Sequence, residues 1–428
     1  MELHPLQQAA IDLCLKMESR LVAITGAAGT GKTTIIRMVY NQLKDAGYSV
    51  VLCAPTGKAA KRIYEATGIP AMTIHRLLEY THPGDINPKT GKPEGISYPR
   101  KTRSDPLAYD VIIGDEYAMV PEELHRNLID AVPSGGVVRL FGDDNQLSPI
   151  EEYKSRDETP KPSQFVQILK NDKLPSIVLE TVFRQGSDSG ILLNATNLLK
   201  GRVPTKNEQW SQKITDKPVD ELVAYLLECE ERGISFVSPE NQIIVPQKKS
   251  WVGSDKLNPM IQGLFFNEKD NPECIMVPRK DTWSSGKAKP TPDLRMFVGD
   301  KVIFTVNNTE LSVFNGEVGI IKEIEHDLGE IIVDFGDREQ SIPCAQEVLN
   351  RYGKMSIIDP RKDLDLAYAI TTHKSQGSEY KYLVYIMNKS NSYMLSRRNF
   401  YTAVTRAKEH VHIIADQVGL SMGVNKRD

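Results

Sequence analysis

The chain has 428 residues, of which 40% are hydrophobic and 25% are charged, and its formal net charge is −3. This length exceeds one ordinary hydrophobic core, so we expect several domains. The charge excludes a globally basic body, and any nucleic-acid surface must be local. No apolar run approaches membrane-spanning length and no secretory leader pattern is present, so we expect a cytoplasmic protein without membrane association. The five cysteines form no C-x-x-C pair, which favours structural thiols over a zinc site.

The first part of the chain alternates between apolar and helical patterns. A helix is predicted at residues 3–16, with Gln7 near its start. Apolar strands are predicted at 21–25, 49–54, 109–114 and 137–141, and helices at 34–46, 58–66 and 121–131. This alternation predicts an α/β domain with a doubly wound parallel sheet, in which ligands bind at the carboxyl ends of the strands.

A phosphate-binding pattern, G-x-x-x-x-G-K-[ST], directly follows the first predicted strand. In this pattern the backbone N–H groups of a glycine-rich turn surround a polyphosphate, and the next helix presents its positive N-terminus. Lys32 is predicted to reach the β- and γ-phosphates of a nucleoside triphosphate, and Thr33 to ligate Mg²⁺. The predicted nucleotide-binding residues here are Gly26, Ala27, Ala28, Gly29, Thr30, Gly31, Lys32, Thr33 and Thr34. Strand, loop and helix occur in the required order, which favours a nucleotide site over a solvated turn.

Two later strand ends carry side chains suited to hydrolysis. Asp115 and Glu116 follow the third strand, where Asp115 is placed to hold Mg²⁺ and Glu116 to polarise the attacking water. Gln146 follows the fourth strand and is placed to contact the γ-phosphate. An ordinary polar turn remains the alternative for Gln146.

The remainder of the chain predicts a second α/β region and two inserts. Residues 79–106 are rich in Pro, Gly and basic side chains and predict either a β-hairpin or a floppy surface loop. A hinge is predicted at 152–174, and apolar segments of the second region at 176–180, 242–246, 366–371, 382–387 and 410–415. Short β-rich runs between 294 and 358 predict a small inserted β-barrel.

Two polar clusters lie in the second region. One, residues 371–379, follows a predicted strand, and the other, 401–408, is predicted to be a helix with Arg406 and Lys408 near its end. Taken alone, Arg406 would more often be solvated or ion-paired than catalytic, and His75 and His373 would more often be polar surface residues.

Together and in this order, the motifs resemble superfamily 1 helicases, most closely the RecD-like and phage Dda-like subgroup that translocates 5′→3′. The resemblance runs from Leu3 to Ala415. In helicase terms, motifs I, Ia, Ib, II, III, IV, V and VI match residues 26–34, 54–60, 73–78, 115–116, 142–149, 183–185, 373–379 and 401–406. Two positions depart from the family pattern: Ala118 stands where serine is usual, and Ser148 where proline is usual.

The resemblance implies an α/β architecture with two RecA-like doubly wound parallel-sheet domains. The first, motor domain 1A, would occupy residues 1–175 and carry the 79–106 insert as a pin hairpin. Motor domain 2A would occupy 176–293 and 359–428. A small Src-homology-3-like barrel, domain 2B, would be inserted at 294–358.

The resemblance also implies roles for individual residues. Gln7 would read the adenine, Gly377 and Glu379 would contact the nucleotide, and Arg184 and Arg406 would be catalytic arginine fingers beside Lys32, Glu116 and Gln146. Tyr98 would stack at the splitting base pair. The implied nucleic-acid contacts are Pro55, Thr56, Lys58, Thr73, His75, Tyr98, Thr372, His373, Lys374 and Gln376.

The implied function is an ATP-dependent DNA helicase that moves 5′→3′ on single-stranded DNA and unwinds duplex at the junction, with Mg²⁺-ATP hydrolysed between the two motor domains. A translocase that displaces proteins without net unwinding and an RNA-directed helicase stay open as alternatives. Both arginines lie in one chain, which implies a monomer. A compact motor suggests a phage or accessory enzyme, in the host cytoplasm if viral, acting in replication, recombination or repair with single-strand-binding or replication proteins as candidate partners.

Overall fold

Two parallel sheets form the framework of the chain, as a computed structural model shows. The structure describes residues 3–81, 97–149, 163–180, 189–266, 273–279, 282–284, 287–289, 291–308, 311–349 and 355–427. Contacts divide the chain into two units, the first ending at Leu193 and the second running from Asn194 to Arg427. Each unit contains one of the parallel sheets, which confirms the predicted fold class. Within the described ranges, no helix is both long enough and apolar enough to cross a membrane.

The first unit is a doubly wound α/β structure. Its elements are α1 Pro5–Leu15, β1 Leu21–Gly26, α2 Lys32–Asp45, β2 Val50–Ala54, α3 Gly57–Thr67, β3 Ala71–Thr73, α4 Ile74–Leu77, β4 Val111–Gly114, α5 Glu122–Ala131, β5 Val137–Gly142, α6 Gln164–Leu169 and β6 Ser176–Leu179. The helix α7, Gly190–Leu199, contains the boundary between the units. All six strands are parallel, in the order β3-β2-β4-β5-β1-β6.

Both faces of the first sheet are covered by helices. Successive residues of a strand point to opposite faces. Accordingly, Ile24 of β1 packs into the core cluster that contains Ile35 and Val39 of α2, whereas Ala23 packs into the cluster that contains Leu124 of α5. Burial on both faces explains why these strands are continuous apolar runs instead of alternating patterns.

The predicted start of the second α/β domain and the predicted hinge are wrong where the structure describes them. β6 pairs with β1, with Ile177 opposite Ile24, and therefore extends the first sheet. In the helix before it, Phe165 is fully buried in the first unit, and its ring centroid lies 6.2 Å from that of Tyr117. The polar, proline-bearing sequence of this region indicated a linker, because a local pattern does not reveal which sheet a strand joins.

The second unit combines a parallel sheet with antiparallel strands. Its elements are β7 Trp210–Ile214, α8 Pro218–Glu231, β8 Gln242–Val245, α9 Ser254–Phe265, β9 Cys274–Val277, β10 Thr282–Ser284, β11 Lys287–Lys289, β12 Leu294–Phe297, β13 Lys301–Phe304, β14 Val318–Glu325, β15 Glu330–Asp334, β16 Glu339–Ile342, β17 Gln346–Leu349, β18 Met355–Ile358, β19 Leu364–Leu366, β20 Ala369–Thr371, α10 Thr372–Ser375, β21 Tyr380–Met387, α11 Arg397–Val404, β22 Ala407–Ala415 and α12 Gln417–Asn425. The parallel sheet has the order β20-β8-β21-β22-β7.

Two predicted elements of this unit are divided in the structure. The predicted strand 366–371 is two strands: β19 joins the antiparallel sheet, and β20 joins the parallel sheet. The predicted helix 401–408 ends at Val404, and Lys408 already lies in β22. Apolar runs predict extended or helical chain, but the partner that completes a strand lies far away in sequence.

The small β-structure is an antiparallel sheet of five strands in the order β16-β15-β14-β13-β19. It has its own apolar core, which includes Phe304 and Val333. Its last strand, β19, lies beyond the predicted 294–358 region, and β9 lies before that region and pairs with β12. The predicted bounds were therefore too narrow.

A buried polar network joins the antiparallel sheet to the parallel part of the same unit. The Asp300 carboxylate accepts hydrogen bonds from the Tyr368 hydroxyl, from the Gln262 amide and from the Phe297 N–H. Next to it, the Lys301 ammonium donates to the carbonyl oxygens of Asn241, at 2.6 Å, and Ser238, at 3.0 Å. Both residues are fully buried, and these bonds satisfy polar groups that would otherwise be costly to bury.

Candidate nucleotide site and nucleic-acid interface

The phosphate-binding loop connects β1 to α2 at the carboxyl edge of the first sheet. Gly29 and Gly31 have φ values of +84° and +86°, a conformation that favours glycine. A Cβ on Gly26 would lie 2.6 Å from the Thr30 hydroxyl. The Lys32 ammonium donates to the carbonyl oxygens of Gly26 at 2.5 Å and Ala27 at 3.0 Å, so it lies within the loop. Ala28 lies within the loop, and Thr33 and Thr34 lie in the first turn of α2, where N–H groups have no partner within the helix.

Gln7 lies against this loop. Its side-chain amide donates to the Thr30 carbonyl oxygen at 3.2 Å, and its amide oxygen accepts from the His4 N–H at 3.1 Å. A Cβ on Gly31 would collide with the Gln7 amide nitrogen. The predicted adenine contact stays a prediction; in the structure, one end of this amide holds the loop and the other end caps the start of α1.

Arg139 is a buried residue that the sequence motifs did not single out. Its guanidinium donates to the carbonyl oxygens of Cys14 at 2.6 Å, Lys16 at 2.8 Å and Ser19 at 2.8 Å. These carbonyls lie at and just after the C-terminal end of α1, where a cation also interacts favourably with the helix dipole. Arg139 therefore anchors the helix that carries Gln7. A lone arginine inside the apolar run 137–141 was the signal available in the sequence.

Asp115 and Glu116 lie directly after β4. Burial, together with the adjacent Glu116 carboxylate, raises the pKa of Asp115, and the nearby Lys32 ammonium opposes that rise. The Glu116 N–H donates to an Asp115 carboxylate oxygen at 2.8 Å. Glu116 itself has φ +51°, which is strained for a residue with a side chain. Such strain at a strand end is typical of functional sites.

The motif after β5 is tied to the strand that precedes the phosphate loop. The Thr25 hydroxyl donates to an Asp144 carboxylate oxygen at 2.7 Å, and the Asp144 N–H donates back to that hydroxyl at 3.2 Å. Nearby, the amide oxygen of Gln146 is buried with no hydrogen-bond partner among the described residues. A buried polar atom without a partner is costly, which favours a polar ligand at this position.

Thr33 and Asp115 fit the hard oxygen ligands that Mg²⁺ prefers. The loop, its lysine and the acidic pair share one edge of the first sheet, because β1, β4 and β5 are parallel and adjacent. This edge can hold a polyphosphate, a divalent cation and a water-activating carboxylate together.

The predicted nucleic-acid contacts of the first unit follow the carboxyl ends of β2 and β3. The Thr56 hydroxyl accepts from the Ala59 N–H at 3.2 Å and caps α3, with Pro55 before it and Lys58 in the first turn. In the same way, the Thr73 hydroxyl accepts from the Arg76 N–H at 3.1 Å and caps α4.

His75 precedes the 79–106 insert, and Tyr98 lies within it. His75 is exposed, and its ring centroid lies 4.8 Å from that of Tyr80 in an edge arrangement. Tyr98 is 37% exposed, and its carbonyl oxygen accepts from the Thr81 N–H at 3.0 Å. Residues 82–96 of the predicted 79–106 hairpin lie outside the described residues.

In the second unit, the predicted DNA contact at Thr372 stays a prediction, and the structure places this side chain in the interior. Thr372 is fully buried, and its hydroxyl bonds to the Asn399 side-chain oxygen at 2.7 Å. Its neighbours His373 and Lys374 are partly buried, and burial lowers the pKa of both. Gln376 is buried as well. The Thr372 side chain faces inward because α10 is a single helical turn that packs against α11.

The nucleotide-facing candidates of the second unit gather at the opposite, amino edge of its sheet. Glu379 precedes β21 and pairs with Lys408 at 3.1 Å, and Gly377, with φ +72°, lies two residues earlier. Arg406, between α11 and β22, is 3% exposed. Its guanidinium donates to the Thr402 carbonyl oxygen at 3.1 Å and the Thr405 hydroxyl at 3.3 Å. In the described part of the chain, no carboxylate pairs with it. Arg184 lies outside the described residues.

The chain resembles known protein families in sequence and known structures in fold. Three family models match: an AAA domain at residues 2–214, a UvrD-like helicase C-terminal domain at 366–414, and an ATP-dependent RecD-like DNA helicase SH3 domain at 281–335. The last match overlaps the antiparallel sheet of the second unit and confirms the predicted Src-homology-3-like insert. The AAA match covers the phosphate loop and supports nucleotide binding there.

Two curated relatives and one solved structure resemble the chain closely. It is 32% identical to the ATP-dependent RecD2 DNA helicase of Deinococcus radiodurans over 91% of this chain, and spans 46% of that protein, less than half its length. It is 25% identical to the RecBCD enzyme subunit RecD of Mycolicibacterium smegmatis over 98% of this chain and 72% of that one. The fold is that of the Bacteroides Pif1 helicase in complex with ADP-AlF3 and ssDNA, with a TM-score of 0.57 and 21% identity over 99% of this chain and 94% of that one.

Proposed function

We propose that this chain, which belongs to the RecD-like helicases of superfamily 1, is an ATP-dependent DNA helicase. One observation carries the proposal: the edge of the first sheet that forms the phosphate loop also presents Asp115, Glu116 and the Gln146 amide oxygen, which has no hydrogen-bond partner in the described part of the chain. Such an edge supplies what hydrolysis of a nucleoside triphosphate requires, namely phosphate binding, metal ligation and water activation.

In this proposal, ATP binds through the loop and Lys32. The ammonium exchanges the Gly26 and Ala27 carbonyl oxygens for phosphate oxygens, which are stronger, charged acceptors. Thr33 and Asp115 hold Mg²⁺, which neutralises phosphate charge when bound. An acidic side chain whose pKa is raised by burial gains from a nearby cation, so Mg²⁺ favours the ionised form of Asp115.

Glu116 orients and polarises the attacking water, and Gln146 contacts the γ-phosphate or that water. Arg406 supplies positive charge to the transferring phosphoryl group, because a buried guanidinium held by neutral oxygens gains most from an anionic partner. By the resemblance of its motif, Arg184 would be a second arginine that contacts the nucleotide.

Coupling of hydrolysis to movement would use α10. The segment from Thr371 to Tyr380 runs from the carboxyl end of β20 to the amino end of β21, so it connects the two edges of the second sheet. Asn399 of α11 accepts hydrogen bonds from both Thr372 and Tyr385. A shift of Arg406 would therefore be transmitted through α11 to α10, which carries the proposed DNA contact His373. Alternating grip of this kind would move a monomer 5′→3′ along one strand.

The test measures ATP hydrolysis with and without single-stranded DNA and with and without Mg²⁺, for the native protein and for Lys32→Ala. We expect strong stimulation by DNA, dependence on Mg²⁺ and loss of hydrolysis in the variant. The same samples are then assayed on duplexes with a 5′ tail, a 3′ tail or blunt ends, and we expect unwinding from the 5′ tail alone.

Other outcomes would correct the proposal at defined points. Stimulation without unwinding indicates a translocase that displaces proteins. Stimulation by RNA in preference to DNA indicates an RNA-directed enzyme, and unwinding from the 3′ tail reverses the direction. Hydrolysis that is indifferent to both nucleic acids would overturn the proposal.

A further inference from the structure

An exposed tryptophan lies on the turn between β8 and α9. Trp251 is 69% exposed, although large aromatic side chains are usually mostly buried. β8 ends at Val245 and α9 begins at Ser254, so the turn leaves the carboxyl end of a central strand of the second parallel sheet. No motif of the proposed nucleotide site includes this residue.

The turn that carries Trp251 is held by hydrogen bonds. The Trp251 N–H donates to the Ser390 hydroxyl at 3.2 Å, and the Asn391 amide donates to the Ser250 hydroxyl at 2.8 Å. The next residue, Val252, is fully buried. A Cβ on Gly253 would collide with the Lys248 carbonyl oxygen, so the chain is closely packed at this point. The indole is thus presented from a fixed backbone, which lowers the entropy lost when a partner binds.

The position of Trp251 points to a nucleic-acid partner. β20 and β8 are adjacent and parallel, so the turn lies on the same edge of the sheet as α10, which carries His373. Two exposed lysines accompany it: Lys249 on the turn and Lys389 on the loop after β21.

Three acidic side chains near this edge already have ion-pair or hydrogen-bond partners. Asp255 and Asp365 both pair with Lys248, at 3.5 Å and 3.1 Å. The Asp416 carboxylate accepts from the N–H groups of Lys389 and Gly419. Exposed positive charge beside an exposed aromatic face is the combination that binds single strands without sequence preference.

We propose that Trp251 stacks on a base of single-stranded DNA bound along this edge, with Lys249 contacting the adjacent phosphate. The inference rests on the proposed helicase function and extends it to a base contact that none of the matched motifs contains. Because every base has a π-face, the contact would be independent of sequence, as a moving enzyme requires.

The experiment compares binding of an oligo-dT single strand by the native protein, Trp251→Ala and Trp251→Phe. Removing one stacked aromatic weakens affinity about 5- to 150-fold. We expect a loss in that range for Trp251→Ala and recovery of most of it in Trp251→Phe. Tyr64→Ala is the matched control, since Tyr64 is an exposed aromatic on α3 of the first unit, and we expect native affinity from it.

Three further readouts separate stacking from structural effects. Binding of the oligonucleotide should quench tryptophan emission in the native protein, and most of that quench should disappear in Trp251→Phe. Replacing the dT bases by abasic residues should weaken binding by the native protein far more than by Trp251→Ala. The salt dependence of affinity should be unchanged in Trp251→Ala but shallower in Lys249→Ala, because only the lysine contacts phosphate.

Hydrolysis of ATP without DNA should be native in the Trp251 variants, which shows that they fold. Native oligo-dT affinity and an unchanged quench in these variants would overturn the inference, even if a protein were found to bind Trp251. If the native protein failed to bind single strands at all, the proposed function would fail first, so the two failures are distinguishable.

Discussion

Each parallel sheet sends a strand through a tight turn into a helix at its carboxyl edge, and the two turns are built differently. In the first unit, Gly29 and Gly31 open the backbone before α2, whose first N–H groups have no partner within the helix. In the second unit, the turn closes on itself: the Gly253 N–H donates to the Ser250 carbonyl oxygen and the Asp255 N–H to that of Lys248.

The difference determines what each turn can bind. Backbone N–H groups left without an internal partner can surround a phosphate. In the second turn two N–H groups are bonded inside the turn, and in our proposal the exposed Trp251 side chain is the binding element. The same strand–turn–helix arrangement thus serves phosphate binding in one unit and, in our proposal, base stacking in the other.

The largest expected effect is on the rate of ATP hydrolysis, and it tests whether the second unit contributes a catalytic residue although the phosphate loop belongs to the first unit. Arg406→Ala should lower kcat by about 10³- to 10⁵-fold, because no other described side chain of that unit is proposed to stabilise the phosphoryl group. Arg406→Lys should restore little, since lysine cannot reproduce the planar donor fork. Steady-state hydrolysis measures the loss, and binding of a fluorescent ATP analogue shows that the site persists. A rate within tenfold of native would assign hydrolysis to the first unit alone.

A second prediction concerns the strained acidic residue of the first unit. Glu116→Gln should lower kcat by about 10²- to 10⁴-fold through loss of the general base. Glu116→Gly should be equally inactive yet no less stable, because left-handed backbone costs an L-residue about 1–2 kcal/mol that glycine avoids. Urea unfolding gives the stability. A marked loss of stability in the glycine variant would show that the carboxylate has a structural role instead.

The two turns can be compared directly with one substitution in each. Gly31→Ala should abolish nucleotide binding, since the methyl group collides with the Gln7 amide and φ is +86°. Gly253→Ala should leave DNA-independent hydrolysis intact but cost about 1–3 kcal/mol of stability and weaken binding of single strands, because the methyl group meets backbone. Binding of nucleotide and of DNA is measured for both variants. If both substitutions impaired the same ligand, the division of roles between the turns would be wrong.

The smallest expected effect uses the two buried carboxyls, Asp115 in the first unit and Asp300 in the second. Burial raises the pKa of Asp300 to about 6, so the folded protein holds this proton more tightly than the unfolded chain does. Its contribution to stability is therefore most favourable at low pH and decreases as the pH rises from about 4 to 6, by at most about 1.4 kcal/mol per pH unit.

Unfolding in urea at several pH values checks this expectation. In Asp300→Asn the free energy of unfolding should depend less steeply on pH. The dependence that remains should include the contribution of Asp115, whose pKa burial also raises. An unchanged pH profile in Asp300→Asn would mean that the Asp300 carboxyl titrates as an ordinary exposed acid.

Much of the candidate site was predictable because its signals are local. Spacing within eight residues identifies the phosphate loop, and the order strand, loop, helix places it at a sheet edge. Asp115, Glu116 and Gln146 follow apolar strands, and the structure brings these strands together in one parallel sheet. The resemblance to helicases was likewise carried by short motifs in a fixed order.

The amino-acid sequence by itself determined the helices α1, α2, α3 and α5, the strands β1, β2, β4 and β5 and the chemistry at the ends of these strands, since each depends on residues close together in the chain. Only the tertiary structure decided that β6 completes the first sheet and that β19 and β20 belong to different sheets. It also decided that Thr372 faces inward and that Arg139 anchors α1. These outcomes depend on partners more than 20 residues away, and the free energy of burying or pairing a group with a distant partner leaves no periodic pattern in the sequence around it.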